Sequence, residues 1–145
     1  MSWIENTRTF FADVDESFGQ TERDEDIQAL LKASRGLNLG LHFLSGALTF
    51  DANIMQVDTN EASKIVWLDA FLRNVDRIVR NTNMLIWKKV LWLIDMGASL
   101  YFRYSWENGK EQSTKAFIQR KDHFLLKQAE KIQPVNNDFK NKITP

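Results

Sequence analysis

Residues 84–104, MLIWKKVLWLIDMGASLYFRY, limit the folds open to this 145-residue chain more than any other stretch. Apolar residues there fall on nearly every helical face, and the only charges before Arg103 are Lys88, Lys89 and Asp95. A helix that is apolar all round belongs inside a protein. The expected fold is therefore all-α: a single-domain bundle of about five helices around a central apolar helix at residues 84–104. The stretch has about the length of a bilayer span. Its internal charges, each costing roughly 2.5–3.5 kcal/mol at the centre of a membrane helix, argue against spanning and leave a membrane surface open.

The other expected helices follow from spacing. Ser2 and Glu5 have capping-box spacing, and Trp3, Ile4, Phe10, Phe11, Val14 and Phe18 recur behind them at helical intervals up to Gly19. The polar face of that helix is acidic, so it is expected to dock on the bundle rather than on anionic lipid. A second helix opens near Thr21, Asp24 and Glu25, with Ile27, Leu30, Leu31, Leu37, Leu41, Leu44 and Leu48 as its buried stripe. Gly36 and Gly40 have the G-x-x-x-G spacing that admits a close helix, and His42 reads as a partly buried, hydrogen-bonded histidine. Residues 50–60 read as a loop.

Asp58 with Glu61, the better pair, or Thr59 with Ala62 caps a third helix, residues 61–80, with Ile65, Leu68, Leu72, Val75 and Val79 on its seam. On its other side Asp69 and Asp76 are spaced to pair with Arg73 and Arg80. Asn81-Thr82-Asn83 breaks the pattern before the central helix, whose Lys88, Asp95, Ser99 and Arg103 form a polar stripe. A fifth helix, residues 113–132, buries Phe117, Ile118, Phe124, Leu125 and Ile132 and ends at Gln133-Pro134. The expected division is a bundle domain over 1–133 and a polar tail over 134–145.

Composition narrows the function. There is no cysteine, so disulfides, thiolate nucleophiles and cysteine metal sites are excluded. The first residues lack a basic region followed by an apolar run, so an intracellular protein is expected, in the cytoplasm or at an organelle surface. Net charge is zero, yet residues 1–72 carry 12 acidic and 5 basic side chains and residues 73–145 carry 7 and 14. That asymmetry suits either charge matching inside the molecule or an acidic and a basic docking surface. Phosphate-loop, zinc-protease and nucleophile-elbow motifs are absent, and the two histidines, His42 and His123, have no ligand cluster beside them. No enzyme, cofactor or metal is expected. Arg73, Arg77, Arg80, Lys88 and Lys89 with Trp87 make only a loose basic stripe, and the acidic half counts against nucleic acid.

Arg35–Gly40 (RGLNLG), the later run Leu91–Gly97 (LWLIDMG) and Trp106 occur in an order that resembles the peroxisome-division peroxins of the peroxin eleven family. The resemblance spans residues 29–106, with Asn38 standing where that family has a basic residue and Lys88 where it has an acidic one. It implies a membrane-bending helix at an organelle surface.

The functional expectation is a non-catalytic helical interaction or assembly subunit with a protein partner. Its docking surface would use Trp67, Arg73, Arg77, Arg80, Trp106, Arg120, Lys121 and Lys127, since Trp and Arg dominate interface energy. The alternative is a peripheral membrane-surface or lipid-binding protein with Trp87, Trp92, Tyr101 and Phe43 lining an apolar pocket.

Overall fold

The computed structural model describes residues 9–19, 21, 23–100 and 109–143. Among them the fold is mixed α/β, with five strands in two antiparallel sheets and four α-helices. This overturns the expected all-α helical bundle. The chain divides between Ser45 and Gly46 into two compact units.

The first unit holds β1 (Thr9–Val14), α1 (Glu25–Ala33) and β2 (Gly36–Leu41). The strands pair antiparallel, with Thr9 opposite Leu41 and Val14 opposite Gly36. The expected first helix is therefore a strand over 9–14, rich in the aromatic and β-branched residues that suit a pleated surface. Residues 2–8 of that expectation lie outside the described residues.

The expected second helix survives only as α1. Asp24 caps its start, accepting from the backbone N–H groups of Asp26 and Ile27. At its end the Ser34 N–H donates to Leu30 and Leu31, and Gly36 at φ 95° turns the chain into β2. Gly40 faces Phe10 across the ladder, where an added Cβ would sit 2.5 Å from the aromatic ring. The glycine spacing thus admits a ring over a strand, not a second helix. His42 follows β2 and is exposed, contrary to the half-buried expectation.

The second unit is built on α2 (Thr59–Leu72), capped by the Asp58 carboxylate on the N–H groups of Asn60 and Glu61, as the capping pattern predicts. Its buried stripe is Ala62, Ile65, Val66 and Asp69, turned from the expected 65–68–72 seam. Ala62, Ile65 and Val66 pack with Phe50, Met84, Leu125 and Ala129 in one core. Each large apolar side chain there contributes roughly 1.5–3 kcal/mol. The helix ends at Leu72, well short of Arg80. Arg73 takes the left-handed conformation at φ 53°, and the Asn74 N–H returns to the Asp69 carbonyl at 2.8 Å. The expected Asp69–Arg73 and Asp76–Arg80 helical pairs are consequently not made.

The stretch expected as the central helix is a hairpin over its first ten residues. Strand β4 (Met84–Trp87) pairs with β5 (Val90–Leu93), and β3 (Leu48–Thr49) joins the other edge of β4. Lys88 and Lys89 form the two-residue turn, both at positive φ (49° and 64°). Such a turn matches the twist of the strands but is normally filled by Asn-Gly, which is why it does not announce itself in the sequence. Trp87 and Trp92 meet diagonally across the hairpin, edge to face at 5.6 Å.

Beyond it come α3 (Gly109–Thr114), two short 3-10 segments (Ile118–Asp122 and Leu126–Gln128) and α4 (Ile132–Ile143). The expected fifth helix over 113–132 is thus broken up. Pro134, expected to stop a helix, sits in the first turn of α4, where its missing N–H costs nothing. No helix among the described residues is long and apolar enough to cross a membrane.

Positive φ costs an L-residue about 1–2 kcal/mol. Replacing Lys88-Lys89 by Asn-Gly should therefore raise unfolding stability by about 1 kcal/mol, read as a higher urea midpoint at unchanged slope. A lower midpoint would mean that the lysines are held in that turn by something stronger.

Candidate active site

The end of α2 carries a buried carboxylate, Asp69, whose side chain is fully enclosed. Its Oδ2 accepts from Arg77 Nε at 2.6 Å and from His123 Nε2 at 2.9 Å. Its Oδ1 accepts from Asn74 Nδ2 at 3.0 Å and, at a longer 3.5 Å, from Arg77 Nη2. Burial pushes the Asp69 carboxyl up, but the His123 hydrogen bond, the Arg77 charge and the Arg77 and Asn74 bonds outweigh it and hold the group below its ordinary value. The Leu125 N–H donates to His123 Nδ1 at 3.1 Å. That bond reserves Nδ1 as an acceptor, so the ring's proton sits on Nε2, facing Asp69.

Arg77 continues from this anchor into the loop between α2 and β4. Its Nη1 donates to the carbonyls of Thr82 at 2.9 Å and Asn83 at 2.6 Å. Ile78 and Asn81 bond to each other across the loop in both directions, and the Thr82 hydroxyl donates to the Phe50 carbonyl. The turn carries Asp76 at one end and Asn81 at the other. Asp76 Oδ2 accepts from Asn81 Nδ2 at 2.7 Å and from Asn83 Nδ2 at 3.1 Å. With its nitrogen committed, the Asn81 amide leaves its carbonyl oxygen for another group.

The hairpin returns to the same place. Ile94 N–H donates to the Asn83 carbonyl at 2.9 Å, bringing the end of β5 beside the loop. Next comes Asp95, exposed and at φ 48°, a strained conformation of the kind that collects at functional sites. Its Oδ1 accepts from the Gly97 N–H at 3.2 Å, and a Cβ on Gly97 would lie only 3.0 Å from that oxygen. An open cleft of about 470 Å³ runs along the loop and the end of β5, lined by Asp51, Arg80, Asn81, Asn83 and Ile94 among others, with Asp76 and Asp95 outside its lining.

No group of three or more His, Asp or Glu residues poised for a metal ion occurs among the described residues. A magnesium ion asks for less: one or two carboxylates, with substrate phosphates and water completing an oxygen shell. The Asn81 amide oxygen and the Asp95 carboxylate are hard oxygen donors of that kind.

The residues expected at a docking surface are scattered. Trp67 is half-buried on α2, stacked on Phe71 at 5.2 Å and Phe139 at 4.7 Å, with its Nε1–H donating to Asn136 Oδ1. It joins α2 to α4. Arg73 is buried and donates to the backbone carbonyls of Ser113 and Lys115. Arg77 is buried as described, and Arg80 is exposed at the cleft. Arg120, Lys121 and Lys127 are exposed on the 3-10 segments. Of the expected pocket, Trp87 and Trp92 are on the hairpin and Phe43 is exposed in the first unit. Trp106 and Tyr101 lie outside the described residues.

Asp76, Asn81, Asp95 and Gly97 were not singled out as site residues from sequence. The signal was there as spacing: D-x-x-x-x-N, then two four-residue apolar runs split by a dipeptide, then D-x-G. No protein-family model, no characterised protein and no solved structure matches this chain. The segments on which the expected peroxin eleven resemblance rests, residues 35–40 and 91–97, fall on β2 and on β5 with the residues after it, and Trp106 lies outside the described residues.

Removing one partner of a buried ion pair costs about 3–5 kcal/mol, so Asp69→Asn should destabilise the protein by that order. Because the native Asp69 carboxyl lies below its ordinary value, its contribution is complete above the unfolded value of about 3.9 and fades as pH falls through the native one. Urea titrations across acid pH should show the wild-type advantage over Asp69→Asn shrinking there. A constant advantage would mean that the charge is not what stabilises.

Proposed function

We propose that this chain carries the catalytic-loop portion of a phosphotransferase, moving a phosphoryl group from a nucleotide to a hydroxyl acceptor. The observation that carries the reading is Asp76 hydrogen-bonded at 2.7 Å to Asn81, five residues on, beside a hairpin that delivers Asp95-x-Gly97. In protein kinases a loop aspartate accepts the acceptor hydroxyl's proton, while an asparagine five residues later and the aspartate of a D-x-G turn hold magnesium. When bound there, magnesium would neutralise charge developing on the phosphates.

Asp76 is the base in this reading. The two amides on its Oδ2 fix the carboxylate's rotamer and leave Oδ1 for the acceptor's proton. Asn81 and Asp95 supply the oxygen donors, and Gly97 lets the chain fold tightly enough for its N–H to orient the Asp95 carboxylate. The six glycines form no G-x-G-x-x-G, so the nucleotide contacts that such enzymes take from a glycine-rich loop have no counterpart in these residues.

Incubation with magnesium and γ-labelled ATP, with and without added hydroxyl acceptors, should give phosphoryl transfer that falls about 10²–10⁴-fold in Asp76→Asn. Transfer that survives Asp76→Asn would sink the assignment of the base.

A second reading keeps the chain as a non-catalytic interaction or assembly subunit. Leu37, Leu39 and Leu41 share one face of β2, all more than 60% exposed, with Phe11 at 75% opposite Leu39. A contiguous apolar face of this kind favours contact with another polypeptide or an apolar surface. Under this reading Leu39→Lys reduces association seen by light scattering after size exclusion. A 16.9 kDa monomer that captures no partner would count against it.

A further inference from the structure

Arg77 reaches both halves of the proposed site. Nη1 holds the carbonyls of Thr82 and Asn83, which close the loop bearing Asp76 and Asn81. Nη2 lies 3.1 Å from the sulfur of Met96, the residue between Asp95 and Gly97. Nε and Nη2 are meanwhile fixed on Asp69, so the guanidinium is a rigid plate with every nitrogen engaged. The side chain is fully enclosed and touches no solvent. A lysine has one point of charge and no planar fork, and cannot make these contacts together.

We infer that Arg77 is a positioning residue that couples the Asp76–Asn81 loop to the Asp95 turn and so sets the distance between the two cation donors. The inference rests on the phosphotransferase reading. Asp69, itself held by His123, fixes the plate, and the plate in turn fixes the loop and the turn. Asn74 belongs to the same device, since its amide nitrogen bonds Asp69 and its side-chain oxygen accepts from the Asp76 N–H at 3.2 Å. The expected consequence is specific. Loosening the plate should weaken cation binding at a site that Arg77 itself does not touch.

The probe is Mn²⁺, titrated into the full chain and followed by electron paramagnetic resonance. Losses of groups that orient metal ligands weaken affinity about 10–100-fold, and Arg77→Lys should fall in that range. Met96→Leu, which keeps volume but removes the sulfur, should weaken Mn²⁺ binding in the same direction with little change in stability. Val135→Ala, a buried truncation in α4, serves as a control that lowers stability without moving the Mn²⁺ affinity.

Wild-type affinity in a folded Arg77→Lys overturns the inference. If that variant does not fold, Met96→Leu decides: weaker binding supports the coupling, and unchanged binding overturns it. Asp95→Ala separates the two claims. If Asp95→Ala abolishes Mn²⁺ binding while Arg77→Lys leaves it intact, only the coupling fails. If the wild type binds no Mn²⁺, or Asp95→Ala binds as well as wild type, the phosphotransferase reading fails and the coupling goes with it.

Discussion

The described structure from residue 46 onward depends on one buried carboxylate. Asp69 projects from the last turn of α2 into a place without solvent, where an unpaired charge would cost several kcal/mol. The cost is met by donors drawn from three parts of the chain: Asn74 just past the helix, Arg77 in the loop and His123 some fifty residues later. Each donor carries backbone with it. Asn74 brings the start of the loop, Arg77 brings its far end, and His123 brings the 3-10 segments that deliver Leu125 and Ala129 to the core. Ionic and apolar packing are therefore a single arrangement, with the ion cluster capping the core at the helix end.

This arrangement explains how a loop of irregular backbone can be held still. Loops lie at the surface because their polar backbone needs partners, and they move because water is an easy partner. Here the carbonyls of Thr82 and Asn83 find a buried guanidinium, and the Thr82 hydroxyl finds the Phe50 carbonyl. The half-buried ends of the loop, Asp76 and Asn81, are then presented on a rigid support. Placing polar groups this way is what phosphoryl transfer demands of a protein, since its catalysis is mostly positioning and electrostatics.

Much of the local chemistry was legible in the sequence. The Asp58 cap and the body of α2 are fixed by short-range rules and appear where those rules put them, whereas Asn81-Thr82-Asn83, read as opening a central helix, precede strand β4. The hairpin was not legible, because MLIW and VLWL are apolar on every face and such a run satisfies a helix and a buried strand alike. Only the lysine turn distinguishes them, and its left-handed residues are of a type that seldom adopts that conformation. The candidate site was hidden behind the same ambiguity. Read on a helix, Asp95 was one member of a polar stripe; at the end of a strand it lies beside the loop of Asp76 and Asn81.

The sequence by itself determined where helix α2 starts, that no thiol chemistry is possible and that one strongly apolar segment lies beyond residue 83. Tertiary structure decided the rest, and the reason is the partnership of charges. Asp69 has Arg73 at the spacing that suits a helix surface, so local rules assign that pair. The helix instead ends at Leu72, and Arg77 reaches back to the carboxylate while Arg73 turns away to the carbonyls of Ser113 and Lys115. His123 completes the cluster from 54 residues away in sequence, a separation at which local pattern carries no information.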